Sequence, residues 1–391
     1  MYTTKIEQQT QVLFFIALVL AVFGSVYRFT TWPGTEISKN IALTSLLIVS
    51  FRFLAVLYSM PINKTIFVLL ISPFVLYTSV KVYEHEYLLF PFLFCVSAWN
   101  VNFRTIVKVF FWINLILLFF TVLASLFGII QNKVFTRDDF DIIEAVNTTE
   151  VRIRYCFGYH YPTDFAAHFT YLNIMWWYLR RGVFKWINYM PILFSIWFVD
   201  NYCNARTEVV VMILIILFSL YYKLRITKVS KIYLMENIYF RYSVPLMAIF
   251  MLFLEYQYMN STNELYQILN IFFSGRLSIT ANAIMTKGIT WFGQFYIQNG
   301  AGTKLEYNYI DCQYMIWLII YGIFIFVLAL YIFYLICRKS VQSKEYLIAI
   351  IISILSIENL IFPSLGLIKY NPFILALFSN ITTSNEKSFF N

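Results

Sequence analysis

Three polar strings interrupt an otherwise apolar chain, and each carries residues able to handle an anion or a proton. The first is Arg152-Ile-Arg154-Tyr-Cys-Phe-Gly158-Tyr159-His160-Tyr161-Pro162-Thr163-Asp164-Phe-Ala-Ala-His168. It packs two arginines, an acid and two of the chain's three histidines into one stretch. The second is Ser274-Gly275-Arg276, and the third runs from Asp311 to Tyr314. A guanidinium is planar, permanently charged and forked, which matches phosphate oxygens. Arg154, Arg206 and Arg276 each sit at or just beyond one end of an apolar run. Singly, any of them reads equally as an interface anchor or as half of a salt bridge. Three on one face, each beside small or turn residues, favour an anion site, with Arg152 a weaker fourth.

Proton chemistry has four candidates. Pro162 suits a first helical turn and Thr163 a cap, so a helix opening there places Asp164 and His168 one turn apart on one face. Such a pair can act as a base and its orienting partner. The same helix N-terminus favours an anion. On the residues alone, Asp164 reads better as an acid complementing the helix dipole, and His168 as a hydrogen-bonded histidine inside a bundle. His160 lies in the loop, within reach of a ligand. Asp311 is a further base.

These residues need a scaffold, and the composition says which kind. Sixty per cent of residues are hydrophobic and 13% charged, more apolar surface than a water-soluble fold of this length can bury. The bilayer is the solvent, and the whole chain, 1–391, reads as one integral membrane domain, all-α, a polytopic helix bundle. A span needs about 20 apolar residues. Candidate runs are 11–29, 41–59, 65–80, 87–101, 107–130, 163–180, 187–201, 206–223, 242–258, 312–336, 346–363 and 366–380, about twelve in all. The Pro363-Ser-Leu-Gly366 turn makes the last two a tight hairpin of helices. The first run lacks a small-residue cleavage site and reads as a retained signal anchor.

Basic residues orient the bundle. With both termini cytoplasmic, the inner loops carry Lys64, Arg104 and Lys108, then Arg180, Arg181 and Lys185, then Lys223, Arg225, Lys228 and Lys231, and finally Arg338, Lys339 and Lys344. Loops 131–162 and 259–311 are long and fall outside, where an anionic ligand explains their arginines. The first opens with a mixed-charge turn from Thr136 to Asp141. The second holds five of the twelve glycines, and its residues 276–287 have the pattern of an amphipathic helix. Arg52 and Glu358 are the most interior charges and are expected to pair.

The formal charge of +9 is accounted for by topology and an anionic lipid-linked ligand, not by nucleic acid. Five cysteines without CxxC spacing argue against structural zinc and read as free thiols, although Cys156, Cys203 and Cys312 share a face. No phosphate-binding glycine loop, HExxH or GxSxG pattern is present, which argues against an ATP-driven pump and a zinc protease. No metal or other cofactor is expected.

The motifs resemble those of the Wzy-type polysaccharide polymerases, relatives of the O-antigen ligases. The carriers are Arg154 through Thr163, Asp200 to Arg206, Ser274-Gly275-Arg276-Leu277, and Asp311-Cys-Gln-Tyr314 followed by Gly322. The family shows an R-x-S-F-G-F-x-H-P-N-like string, a lone arginine entering a later span, an S-G-R string and a D-x-x-Y start to a late span. Order and placement agree over roughly 150–325. Two departures stand out: Tyr161-Pro162-Thr163 replaces His-Pro-Asn, with His160 adjacent, and Cys156 replaces the serine.

The resemblance implies a GT-C-like, metal-independent glycosyltransferase of the bacterial cytoplasmic membrane. It would join undecaprenyl-pyrophosphate-linked oligosaccharide repeats into capsular or O-antigen polysaccharide on the outer face. Arg154, Arg206 and Arg276, with Tyr159, Ser274, Gly275 and Tyr314, would bind the substrate. Asp164, His168, His160 or Asp311 would move the proton. Partners would be membrane lipid and the flippase and chain-length regulator of the same pathway. Two rivals share these features. A ligase would use the same donor site, and a flippase for lipid-linked sugars would need short loops and internal repeats, which this chain lacks.

Overall fold

The computed structural model describes residues 2–82, 85–138, 151–226, 234–300 and 307–381. The chain is a helix bundle. Among the described residues, seven helices are long and apolar enough to cross a membrane: α1 (Tyr2–Arg28), α2 (Thr35–Ser59), α3 (Ile62–Val82), α5 (Phe103–Leu126), α8 (Arg206–Tyr221), α9 (Leu234–Asn260) and α12 (Gly322–Gln342). Two more, α10 (Glu264–Phe272) and α11 (Arg276–Lys287), meet at a 107° bend and could together make an eighth span. The apolar helices α4 (His85–Ser97) and α13 (Tyr346–Glu358) are short, as is α7 (Tyr189–Phe198). α6 (Pro162–Leu179) carries the first polar string. This makes a multi-pass membrane protein with fewer long spans than twelve apolar runs predict.

The shortfall has a physical cause. Hydropathy reports apolar surface, whether lipid or protein covers it. α2 shows Leu43, Leu47, Phe51, Leu54 and Tyr58 on its outer side, three or four residues apart, the stripe of a lipid-facing helix. α13 is buried all round from Leu347 to Ser356, and α6 is buried over most of its length. Their apolar residues are spent on the bundle interior.

Residues 366–380 do not form the expected helix. The turn after Pro363 is followed by irregular backbone with one 3₁₀ turn, Phe373–Ala376. Gly366, Asn371 and Pro372 break helical continuation. Buried irregular backbone needs partners, and side chains supply them. Asn359 Oδ1 accepts from the amides of Ser364 and Leu365, each at 2.9 Å, and Asn371 Oδ1 from Phe373 at 2.9 Å. Lys339, expected in a cytoplasmic loop, lies within α12 and donates to the carbonyls of Ala376, Leu377 and Ser379.

Arg52 and Glu358 are not partners. The Arg52 guanidinium donates to Ser97 O at 3.3 Å, to Trp99 O at 3.1 Å and to Thr10 Oγ1. Glu358 Oε2 accepts from Tyr171 at 2.8 Å and Ser364 at 3.0 Å. The five cysteines are free and buried.

The described parts of the two long loops are built structures. Val134–Asp138 (β1) pairs antiparallel with Val151–Tyr155 (β2), Phe135 opposite Arg154, where a solvated turn was expected. Residues 139–141 of that turn, the side chain of Arg152, Lys228, Lys231 and Gly302 lie outside what is described. The amphipathic helix over 276–287 is present as α11. The run at 312–336 is broken: one turn, Gln313–Met315, and a π turn, Ile316–Ile320, precede α12. Loop 290–294 docks into the break. Gln294 N donates to Ile320 O at 2.8 Å, Ile323 N to Thr290 O at 3.0 Å and Phe324 N to Trp291 O at 3.1 Å. A Cβ on Gly293 would fall 2.6 Å from Ile320 O, so only glycine permits this approach.

Candidate functional site

Arg276 owes its position to the turn before it. Ser274 and Gly275 both take left-handed backbone, at φ 55° and 80°, and this turns the chain from α10 into α11. Ser278 Oγ donates to Gly275 O at 2.7 Å and Asn270 Oδ1 accepts from Ser278 N at 3.0 Å, which fixes the corner. Arg276 at the first helical position meets Asp311, Nη2 to Oδ2 at 3.1 Å. Its Nη1 donates to Phe273 O at 3.0 Å, and its Nε is buried without a hydrogen-bond partner. Tyr307 donates to the same Asp311 oxygen at 3.1 Å. Burial raises the Asp311 carboxyl above its ordinary value, and Arg276 and the Tyr307 hydroxyl partly offset this. Burial and Asp311 raise the Tyr307 phenol, which stays protonated and donating.

Arg154 lies on β2. Its Nε donates to Cys203 O at 2.8 Å. Cys203 ends the π turn Val199–Cys203, and left-handed Asn204, φ 46°, redirects the chain into α8. Arg206 begins α8 at the surface. Two residues on, Glu208 is 1% exposed with Oε1 unpartnered, and it interacts electrostatically with both Arg154 and Arg276. Arg154 and Arg276, from separate strings, thus act on one buried acid, Arg276 also pairs with Asp311, and Arg206 opens the helix that carries the acid.

Asp164 and His168 form a second cluster. α6 begins at Pro162 as expected; its cap is Tyr161, without a side-chain cap bond, in place of a threonine. Asp164 Oδ1 is held by Lys369 Nζ at 3.3 Å and by the Tyr370 hydroxyl, not by His168. His168 packs edge-on against Tyr370, ring centres 4.6 Å apart, and against Tyr159 at 5.3 Å, with Nε2 buried and unpartnered. Lys369 Nζ also lies 3.1 Å from the centre of the Phe29 ring. Tyr159 is buried with its hydroxyl unpartnered. Tyr314 is also buried and donates to Ser356 O at 2.8 Å, a packing role inside the bundle.

His160 lies at the edge of the second cluster, within electrostatic range of Asp164. Its amide donates to Phe29 O at 2.9 Å and its Nδ1 lies 3.3 Å from Lys133 Nζ. Burial, then Lys133, lowers its pKa below the ordinary value, so the imidazole is neutral near pH 7. Tyr161 links the regions: Phe135 stacks on its ring at 5.7 Å, and it interacts electrostatically with Asp164 and Tyr307. Among the described residues, no three His, Cys, Asp or Glu side chains gather as a metal would require.

Sequence reasoning missed Glu208, Tyr307 and Lys369. Two of them had a signal. Glu208 follows Arg206 into an apolar run, and Lys369 interrupts the run at 366–380; a charge in such a place needs a partner. Tyr307 is one of 30 tyrosines and carries no such mark. Comparison with known protein families, with curated proteins and with solved structures finds no match for this chain.

Proposed function

We propose that the chain is a glycosyltransferase that extends a polysaccharide from lipid-pyrophosphate-linked repeat units, of the GT-C-like kind. The observation that carries the reading is the pairing of Arg276 with Asp311, with Arg154 and Arg276, from separate strings, both acting on the buried Glu208. It supplies the two things the reaction needs side by side. In this reading the arginines hold the pyrophosphate and neutralise charge as it leaves. An acceptor hydroxyl oxygen attacks the anomeric carbon of the donor sugar. The bond from that carbon to the phosphate oxygen breaks, and its electron pair departs with the lipid diphosphate. The hydroxyl proton passes to Asp311, whose raised pKa makes its carboxylate a stronger base than an exposed one. The lipid carrier suits an all-helical membrane architecture, and the resemblance of the motifs to the polymerase family points the same way.

The test is complementation of a strain lacking its capsule polymerase, with Arg154→Ala and Arg276→Ala compared at matched membrane levels. A glycan ladder from wild type, replaced by single lipid-linked repeats on the outer leaflet in the variants, is the expected outcome. Repeats trapped on the inner leaflet would make the protein a flippase. Finished glycan moved once, without a ladder, would make it a ligase.

A further inference from the structure

Both ends of the bent pair α10–α11 lie on one side of the bundle. α10 starts just after the Asn260 end of α9. α11 leads into loop 290–294, which is bonded to Ile320, Ile323 and Phe324 at the Gly322 end of α12. Those two helix ends are on the same side. Tyr242, early in α9, lies beside Tyr334, late in α12, with ring centres 5.0 Å apart, and Glu255, late in α9, interacts electrostatically with Cys312, ahead of α12. α9 and α12 are therefore antiparallel. A crossing pair would instead deliver loop 290–294 to the Gln342 end of α12. The two helices have 9 and 12 residues, each short of the roughly 20 that a span needs, and their 107° bend keeps them from adding up to one.

The pair folds back along α9 rather than standing away from it. Thr280 Oγ1, in α11, donates to Glu255 Oε1, and Asn270 Nδ2, in α10, donates to the Tyr258 hydroxyl at 3.5 Å. Glu255 precedes Asn260 by more than one helical turn, about 7.5 Å along the axis toward the bilayer centre. Phe273 is buried at the corner, and Arg276 Nη1 donates to its carbonyl.

Around the axis of α10 three faces are distinct. Tyr266, Leu269 and Phe273 turn inward. Asn263, Gln267 and Asn270 make a narrow polar face. Asn263 caps the helix by accepting from Leu265 N at 2.9 Å, and Asn270 accepts from Ser278 N across the corner. Leu265, Ile268, Ile271 and Phe272 form the third face, apolar and between 51% and 67% exposed. α9 carries an exposed stripe of the same kind, Ile249, Phe253 and Tyr256, three or four residues apart and leading up to the link into α10. On a helix long enough to span, such a stripe faces lipid, and the apolar face of α10 continues it. A helix with a polar face beside an apolar one suits the plane of the membrane surface. We infer that α10–α11 is a re-entrant pair, and that the stripe from Leu265 to Phe272 rests on the acyl chains of the leaflet at the Asn260 end of α9, with Gln267 toward water. The corner that positions Arg276 then hangs from an element seated on lipid. The inference holds whatever reaction Arg276 serves.

The experiment uses the full chain in phosphatidylcholine nanodiscs, with a nitroxide attached to Ile268→Cys, to Gln267→Cys or, as a lipid-facing reference on α9, to Phe253→Cys. The wild-type chain, whose five cysteines are buried, is treated alike and serves as the blank. All three positions are exposed, so the labels leave the packing intact. Power-saturation spectroscopy compares collisions with oxygen, which concentrates among acyl chains, and with a water-soluble nickel chelate. The expected result is an Ile268 label that matches Phe253, with oxygen favoured several-fold, and a Gln267 label with the opposite preference. Chelate favoured at both α10 positions would place the helix in water. Oxygen favoured at both would make it part of a crossing span. An Ile268 label shielded from both reagents would mean that protein, a second copy of the chain included, covers the stripe. Each of these three results overturns the inference.

Discussion

Arg276 and Lys369 each face a carboxylate across nearly the same gap, 3.1 Å to Asp311 and 3.3 Å to Asp164. Their surroundings differ. The side chains of Lys369 and Asp164 are 6% and 10% exposed, wrapped by Phe29 and Tyr370, with the Tyr370 hydroxyl on the same oxygen. Arg276 and Asp311 are 22% and 17% exposed and sit at a helix start and a loop. A buried pair cannot trade its partner for a ligand without stranding a charge in a medium of low dielectric. An arginine that is partly open to solvent can exchange its carboxylate partner for a phosphate at lower cost. The Asp164 pair is set in the bundle interior; the Asp311 pair is open enough to exchange partners, as the proposed function requires.

Substitutions should separate the two pairs, and the largest effect is expected in the buried one. Lys369→Ala removes the cation facing buried Asp164 and leaves it the Tyr370 hydroxyl alone, at a cost of about 3–5 kcal/mol. The loss shows as a lowered unfolding midpoint in detergent, and the double change Asp164→Asn with Lys369→Met should recover most of it. Wild-type stability in Lys369→Ala would remove the contrast.

Arg276→Ala should do the reverse. Under the proposed function transfer falls by about 10²–10³-fold, the usual loss for one charge-stabilising donor, while the unfolding midpoint stays near wild type. If Arg276→Ala melts as early as Lys369→Ala, both pairs are structural. Gly158→Ala tests the joint between the clusters. At φ +85° a Cβ would lie 2.7 Å from Ile130 Cδ1 and 3.1 Å from Thr121 O. Roughly 1–3 kcal/mol of strain is expected, read as a lowered midpoint together with faster proteolysis between β2 and α6.

The smallest effect concerns His160. Its folded pKa lies below the ordinary 6.5, so the folded chain binds this proton more weakly than the unfolded chain. Its contribution is complete above 6.5 and is lost as pH falls through 6.5 toward the lowered value. His160→Gln should flatten the midpoint-versus-pH curve in that window and leave the curve above pH 7 unchanged. A slope that persists in the variant assigns it to another group.

What the sequence disclosed follows from the range of each signal. The start of α6 at Pro162 and the helix over 276–287 are local, and both were legible. The joining of Arg276 to Asp311 was suggested by a shared face but not by any spacing. The expected Arg52–Glu358 pair failed because interior charge announces a need for a partner without naming one; carbonyls and a hydroxyl took Arg52, and hydroxyls took one oxygen of Glu358. Span counting failed at α13 and at 366–380 because apolar runs look alike whether protein or lipid surrounds them. The pairing of Asp164 with Lys369 crosses 205 positions and left no local trace.

The seam where Gly293 rests against Ile320 bears on how the molecule moves. Loop 290–294 is joined to the break before α12 by three backbone hydrogen bonds and contact too close for any side chain. A loop fastened this way cannot swing as an independent flap. It travels with the break, and the break carries Gln313 and Tyr314 just ahead of it. Any tilt of α12 in response to the thickness or tension of the surrounding bilayer would be delivered as a lever stroke to the residues around Asp311.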